Sequence, residues 1–359
     1  LTAVPEPTPP TLPAPRLPPE EVAGRFREVV AACERLLGRR VAWVQLPGGR
    51  GRAMGRLGLE DGTRVIAGMR RELVQAQHEA RVLRALRAAG APVPEVLGFE
   101  GRLLVQSDLG ETRLSQALDG AEPERVLALL DAALDGLVRV QRAGSAAGLE
   151  AVVLEHATRE RAWFLGLFDR VRLYAEGFAL PAPALPLDAL VDLLTVPRPR
   201  FVKWDARPAN AALGEDGAIG WFDFEDAVAR CRLDDLVWLL ADEFVPDLPE
   251  VEARLLETWL PAFRDDRDAP NAHAYLRAFG VFHALVRLGL ILDRKDQGPW
   301  WSWAFCLTFD KAGVSHAAAV RLLLRAARWA EEVDLLRALG PWLRALAERL
   351  PPAELAAAA

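Results

Sequence analysis

The chain of 359 residues is 51% hydrophobic and 26% charged, with a net charge of −6. A chain of this size buries one large or two modest cores, and its mild acidity argues against nucleic-acid binding through a basic surface. Three scattered cysteines (Cys33, Cys231, Cys306) argue against a disulfide framework or a zinc site, and no uninterrupted apolar run is long enough to span a membrane, so a cytoplasmic protein is expected.

Residues 1–19 contain eight prolines and read as an extended tail. A helix is expected from Pro19 to about Gly38, with Val22, Phe26, Val29, Val30, Cys33 and Leu37 near a helical period. Three strands follow: Val41–Leu46, Arg52–Leu59 and Arg64–Arg70. The first two are joined through a segment with Gly49, Gly51 and Gly55, which a strand follows where a dinucleotide fingerprint needs a helix. No Gly-Lys-Ser/Thr is present, so it is not a Walker loop; a hairpin over bound phosphates and an ordinary turn both fit. Next come a helix over 72–89 and a strand pair, Val96–Glu100 and Leu103–Ser107. From about 112 the pattern is helical apart from a hairpin at 210–222. A tail (1–19), a sheet-plus-helix region (20–107) and a larger helical region (108–359) make an α+β chain with two lobes.

The chemistry concentrates at 203–226. Asp205 and Asn210 are five residues apart, and Asp223 follows thirteen later. Gly214-Glu-Asp-Gly217 between two short apolar runs signals a hairpin, which folds Asp223 back beside Asn210. One candidate base and two oxygen ligands for a hard cation equip the stretch for phosphoryl transfer. Arg207 could face the transferring phosphoryl group.

Lys203-Trp-Asp-Ala-Arg-Pro-Ala-Asn210 followed by Phe222-Asp-Phe-Glu-Asp-Ala227 resembles the catalytic loop and metal hairpin of the aminoglycoside phosphotransferase and choline kinase family. His78-Glu-Ala-Arg81 with Ala91-Pro-Val-Pro94 is similar to that family's N-lobe helix and following loop, and Leu104–Glu111 to its interlobe hinge. The resemblance implies a two-lobed, protein-kinase-like fold: a small β-sheet N-lobe and a larger helical C-lobe, with ATP and Mg²⁺ between them. Asp205 would be the catalytic base, Asn210 and Asp223 the metal ligands, and Gln106 and Asp108 hinge residues near the nucleotide. Asp235 looks like the family's Asp on the helix after the hairpin. The implied activity is transfer of the γ-phosphate to a hydroxyl of a small molecule of the aminoglycoside, amino alcohol or sugar class, with no nucleic-acid or membrane partner.

The family's phosphate-gripping N-lobe lysine is missing, because lysine occurs only at 203, 295 and 311. Glu79 matches that lysine's helix partner, and Arg70 falls on the right strand face to supply the cation. Lys203 replaces the catalytic-loop histidine; it could reach Asp223 or the phosphates, or its stem could pack under Trp204 or Trp221. These departures keep a second class in view, a catalytically impaired pseudokinase acting as a nucleotide- or metabolite-binding module. For the acceptor, Phe263–Asp268 and Pro299–Trp303 suit a cationic amine or a sugar, or else they are a solvated loop and helix packing.

Overall fold

A computed structural model describes residues 16–22, 24–47, 54–153, 160–296, 298–308 and 312–352. Most of the proline-rich tail and the glycine segment between 48 and 53 lie outside them. A six-stranded antiparallel sheet is built from β1 (Arg16–Leu17), β2 (Val41–Gln45), β3 (Met54–Leu59), β4 (Arg64–Met69), β5 (Val96–Glu100) and β6 (Leu103–Ser107), in the order β1-β2-β3-β4-β6-β5. The tail boundary needs correction here. Arg16 and Leu17 pair with Gln45 and Val44, so the sheet begins inside the proline-rich stretch, where two residues between prolines still offer backbone N–H groups. The first α-helix, α1 (Arg25–Leu37), also starts later than expected, because Pro19–Glu21 closes only a 3₁₀ turn. Gly38, at φ +65°, ends α1 in the left-handed conformation that glycine adopts at least cost.

Strand alternation splits the sheet between two cores. Leu103 and Val105 of β6 face α1 and pack with Phe26, Val29, Cys33, Leu57 and Val65. Leu104 between them joins α2 (Leu73–Ala88) and the large C-terminal core. From Val41 to Ser107 the expected strand and helix bounds agree with the structure to within two residues wherever it is described.

The C-lobe is formed by α3 (Leu114–Leu118), α4 (Pro123–Ala146), α5 (Arg161–Gly177), α6 (Leu187–Leu194), α7 (Leu233–Leu240), α8 (Pro249–Phe263), α9 (Ala269–Lys295), α10 (Trp303–Thr308), α11 (His316–Glu331) and α12 (Leu339–Arg349). Five short strands, unlike the single expected hairpin, thread among them: β7 (Thr112–Arg113), β8 (Arg200–Val202), β9 (Ala211–Leu213), β10 (Ile219–Trp221) and β11 (Val228–Arg230). β10-β9-β7 form one sheet and β11-β8 another. Runs of two or three residues are too short to show a period of two, and their pairing is decided by chain approach. The helix α9 is long and apolar enough to cross a membrane by composition, with mean hydropathy 1.5 over its most apolar window, but 78% of that window is buried inside the C-lobe. Its apolar stretch is that of a core helix, which sequence runs alone do not separate from a span.

Two glycines of α4 bring it against the future site. A Cβ at Gly144 would stand 2.1 Å from Phe201 in β8, and one at Gly136 would stand 3.0 Å from Ile219 O in β10. Trp221 Nε1 donates to Ala133 O of the same helix at 3.1 Å, tying the hairpin to it.

Candidate active site

The 211–221 hairpin closes as the sequence requires. Ala211 pairs with Trp221, Gly214 N–H donates to Ala218 O at 2.8 Å, and Gly217 takes φ +81°. Phe222 N–H donates to Asn210 O at 3.1 Å, which sets Asn210 and Asp223 on adjacent ends of the hairpin. Asn210 Nδ2 donates to Asp205 at two points, Oδ2 at 2.7 Å and the backbone O at 3.0 Å. The three residues picked out by spacing therefore meet.

The loop carrying them is bent at Trp204 (φ +54°), Asp205 (φ +47°) and Asp223 (φ +64°). Aspartate tolerates the left-handed region; a bulky residue such as Trp204 does so only under restraint, at a cost of about 1–3 kcal/mol. The restraint comes from Asp235 at the start of α7. Its carboxylate accepts Lys203 N–H at 2.9 Å and Trp204 N–H at 2.8 Å, and Gln141 of α4 braces it at 2.8 Å. Burial pushes the Asp235 carboxyl up to about 6, despite these donors.

The cation expected on the third strand is placed by Glu79. Arg70 Nε and Nη2 lie 2.5 and 2.6 Å from the two Glu79 oxygens, a bidentate pair. The same guanidinium reaches Asp223 Oδ1 (3.1 Å) and Glu225 (3.6 Å). Glu79 is completely buried and also accepts Phe224 N–H at 3.2 Å. Burial raises its carboxyl; burial opposes but does not prevent the opposite shifts in Arg70, held above its ordinary range by the three carboxylates, and in Asp223, held below its range by Arg70 and Lys203.

Two other sequence-derived assignments need correction. Lys203 does not face the cleft. Its buried ammonium donates to Asp223 O at 2.9 Å and Asp205 O at 3.2 Å, and lies 5.0 Å from the centre of the Phe224 ring. It clamps the two loops from behind, and burial lowers its pKa. Arg207 is drawn the other way. Its guanidinium binds Asp242 at 2.7 Å and Glu243 at 3.3 Å, and Arg287 of α9 completes this buried four-charge cluster. Two unsatisfied buried acids attract a guanidinium more strongly than a solvated cleft does. Arg207 thus acts on the site through its field: burial raises the Asp205 carboxyl, and Arg207 and Lys203 partly offset the rise.

Between the lobes lies a cavity of about 300 Å³, with Ile66, Arg70, Gln106, Asn210, Phe222 and Asp223 on its walls. Gln106 Oε1 is buried there without a hydrogen-bond partner. Asp108 braces the hinge, its oxygens taken by Arg56 at 2.6 and 3.1 Å and by Gly110 N–H at 3.2 Å. Arg113, absent from the sequence expectations, also lines the cavity; it donates to Ala209 O at 3.0 Å and stacks on Phe222. In an arginine-rich chain, nothing in the spacing of Arg113 distinguishes it.

Among the described residues no three His, Cys, Asp or Glu side chains are grouped as a metal site. Asp223 Oδ1 is nonetheless buried with the Arg70 ion pair at 3.1 Å as its one partner among the described residues, and the Asn210 amide nitrogen is committed to Asp205, which leaves its oxygen available. One carboxylate and one amide oxygen suit Mg²⁺, an ion that keeps waters and phosphate oxygens in its shell. The 263–268 loop and the 299–303 tryptophans serve packing. Asp265 pairs with Arg232, Asp268 caps α9, Trp300 donates to Pro351 O and Trp303 to Asp119.

A sequence profile described as the phosphotransferase enzyme family matches residues 42–273. Among solved structures, macrolide 2′-phosphotransferase MphH from Brachybacterium faecium aligns with TM-score 0.52 and 14% identity over 82% of this chain and 96% of that one. A macrolide 2′-phosphotransferase type I aligns with TM-score 0.51 and 16% identity over 82% and 98%. The amicoumacin kinase hAmiN, in complex with AMP-PNP, Ca²⁺ and Ami, aligns with TM-score 0.50 and 14% identity over 74% and 85%. At these identities the likeness shows the shared fold. No curated protein matches the chain by sequence.

Proposed function

The chain belongs to the phosphotransferase enzyme family and is a small-molecule kinase with an alcohol group as acceptor; from that premise we propose that it takes the γ-phosphate from ATP, with Mg²⁺, and that Asp205 is its base. The observation that carries this reading is the Asp205–Asn210 hydrogen bond at 2.7 Å beside Asp223, in a loop locked by Lys203 and Asp235.

Asn210 holds one oxygen of Asp205, so the other can orient the acceptor hydroxyl and take its proton. Burial raises the basicity of this carboxylate above that of a solvated one, which favours proton transfer near neutral pH. Arg70, oriented by Glu79, carries the positive charge that the α- and β-phosphates need, and Arg113 adds a second cation at the same wall. Asn210 and Asp223 would hold Mg²⁺, which when bound neutralises phosphate charge as it develops. Ile66 and Phe222 on the cavity wall would supply apolar surface for a purine, and the Gln106–Asp108 segment, which lines the same cavity, would meet its edge.

The test pairs ATP/Mg²⁺ calorimetry with a coupled ADP-release assay on the wild type and Asp205→Asn. Nucleotide affinity should hold within about threefold while turnover falls about 10²–10⁴-fold. Unchanged turnover would remove Asp205 from its role; ATP binding with no turnover in the wild type would select the binding-module reading instead.

A further inference from the structure

Arg56 of β3 sits in the sheet between Gln45 of β2 and Ile66 of β4, and its guanidinium spans from there to the hinge. Nε donates to Asp108 Oδ2 at 2.6 Å. Nη2 donates to Asp108 Oδ1 at 3.1 Å and to Gly110 O at 2.6 Å. Nη1 donates to Gln45 Oε1 at 3.0 Å, so the neighbouring strand steadies the other side of the fork. Asp108 Oδ1 also accepts Gly110 N–H at 3.2 Å, which closes a ring of bonds over residues 108–110. Both charged partners are withdrawn from water, with the Arg56 and Asp108 side chains 8% and 3% exposed. A bidentate pair buried in this way fixes the direction of its groups, which an exposed ion pair does not.

The segment held by this clasp needs holding. Gly110, at φ +147°, is conformationally permissive. It also abuts the C-lobe hairpin so closely that a Cβ there would stand 2.4 Å from Leu213 O. Among the described residues, the backbone N–H and C=O groups of Asp108 and Leu109 make no backbone hydrogen bond, and both residues line the cavity between the lobes. Ordering such a backbone edge at the moment of binding costs conformational entropy; an edge ordered beforehand does not carry that cost. The clasp draws on β2 and β3, on the opposite side of the hinge from the catalytic loop, so it can order this edge without touching Asp205, Asn210 or Asp223.

We infer that Arg56 is a positioning residue for the nucleotide: through Asp108 and Gly110 it pre-forms the hinge whose unpaired backbone meets the purine, while Arg70, Asn210 and Asp223 hold the phosphates independently of it. The inference rests on the ATP reading and assigns this residue a part in it.

Two probes separate the purine from the phosphates. The full chain is titrated by calorimetry with ATP/Mg²⁺ and with inorganic tripolyphosphate/Mg²⁺, which has the phosphate chain without ribose or base. Arg56→Met alone would strand the Asp108 carboxylate in the interior, so the main variant is Arg56→Met/Asp108→Leu, which removes both charges together. Its Kd for ATP should rise about tenfold or more, with the Kd for tripolyphosphate within about twofold of wild type. Arg56→Lys, which keeps the charge without the fork, should lie between the two for ATP, at about threefold or more. Circular dichroism and Tm check folding, and if the double variant does not fold, Arg56→Lys decides by the same comparison. An ATP affinity unchanged in the folded variants overturns the inference. Equal weakening of both probes also overturns it, because Arg56 would then only support the lobe. A wild type that binds ATP no better than tripolyphosphate overturns the inference and leaves phosphate binding standing; one that binds neither overturns the ATP reading as well.

Discussion

Replacing Arg70 by methionine keeps roughly the volume and removes the charge. Glu79, with no solvent exposure, is then left with a single donor, Phe224 N–H. Breaking a buried pair from one side costs about 3–5 kcal/mol, but Glu79 has an escape in taking up a proton. Protonating a carboxyl with an unfolded pKa of about 4.3 costs about 1.4 kcal/mol per pH unit above that value, so the penalty is capped near 4 kcal/mol at pH 7.5 and near 1.6 kcal/mol at pH 5.5. The sign follows from proton counts. In the variant the folded state binds a proton that the unfolded state releases, so stability falls as pH rises. Urea unfolding of wild type and Arg70→Met at the two pH values measures this directly. The deficit should shrink by about 2–3 kcal/mol on acidification, and Arg70→Met/Glu79→Met should be more stable than Arg70→Met alone at pH 7.5. ATP/Mg²⁺ affinity should drop about 10–100-fold through the lost charge-assisted bonds, with Arg70→Lys in between because it restores charge without the bidentate fork. A deficit that does not change with pH, or an unaltered ATP affinity, would refute the assignment of Arg70 to the place of the missing lysine.

Asp223→Ala should erase the gain in ATP affinity that Mg²⁺ confers, so that titrations with and without the ion coincide; a retained Mg²⁺ effect would point to a different ligand. The buried His283 has its pKa held down to about 3 in the fold against about 6.5 unfolded, so the unfolded state binds the extra proton and stability falls as pH drops below 6.5. His283→Asn should be relieved of this load by about 2 kcal/mol at pH 5 relative to its difference from wild type at pH 8, and parallel wild-type and variant stability curves across that window would contradict it.

The local patterns in the sequence were enough for the N-lobe elements from β2 to β6, though not for β1 or the start of α1, and for the meeting of Asp205, Asn210 and Asp223. Strand alternation, helical period and the Gly214–Gly217 turn are all short-range, and a hairpin register follows from its turn. The same holds for Arg70 opposite Glu79, where strand parity and one helix position suffice. The strands of two or three residues at β7, β8 and β11 carry no such pattern and exist because distant segments approach. The division of labour among the cations is likewise tertiary. Lys203, Arg207 and Arg70 were equivalent candidates by charge. Two backbone carbonyls claim Lys203, acids 35 and 36 residues away claim Arg207, and only Arg70 is left on the cavity wall. The Trp163–Trp204–Trp238 cluster assembles from α5, the catalytic loop and α7, with His283 of α9 behind it, and the tryptophans that looked most conspicuous in sequence, 300–303, were used for packing. Charge pairing and ring packing are decided by what comes within a few ångströms in space, and in this chain those neighbours are dozens of residues apart.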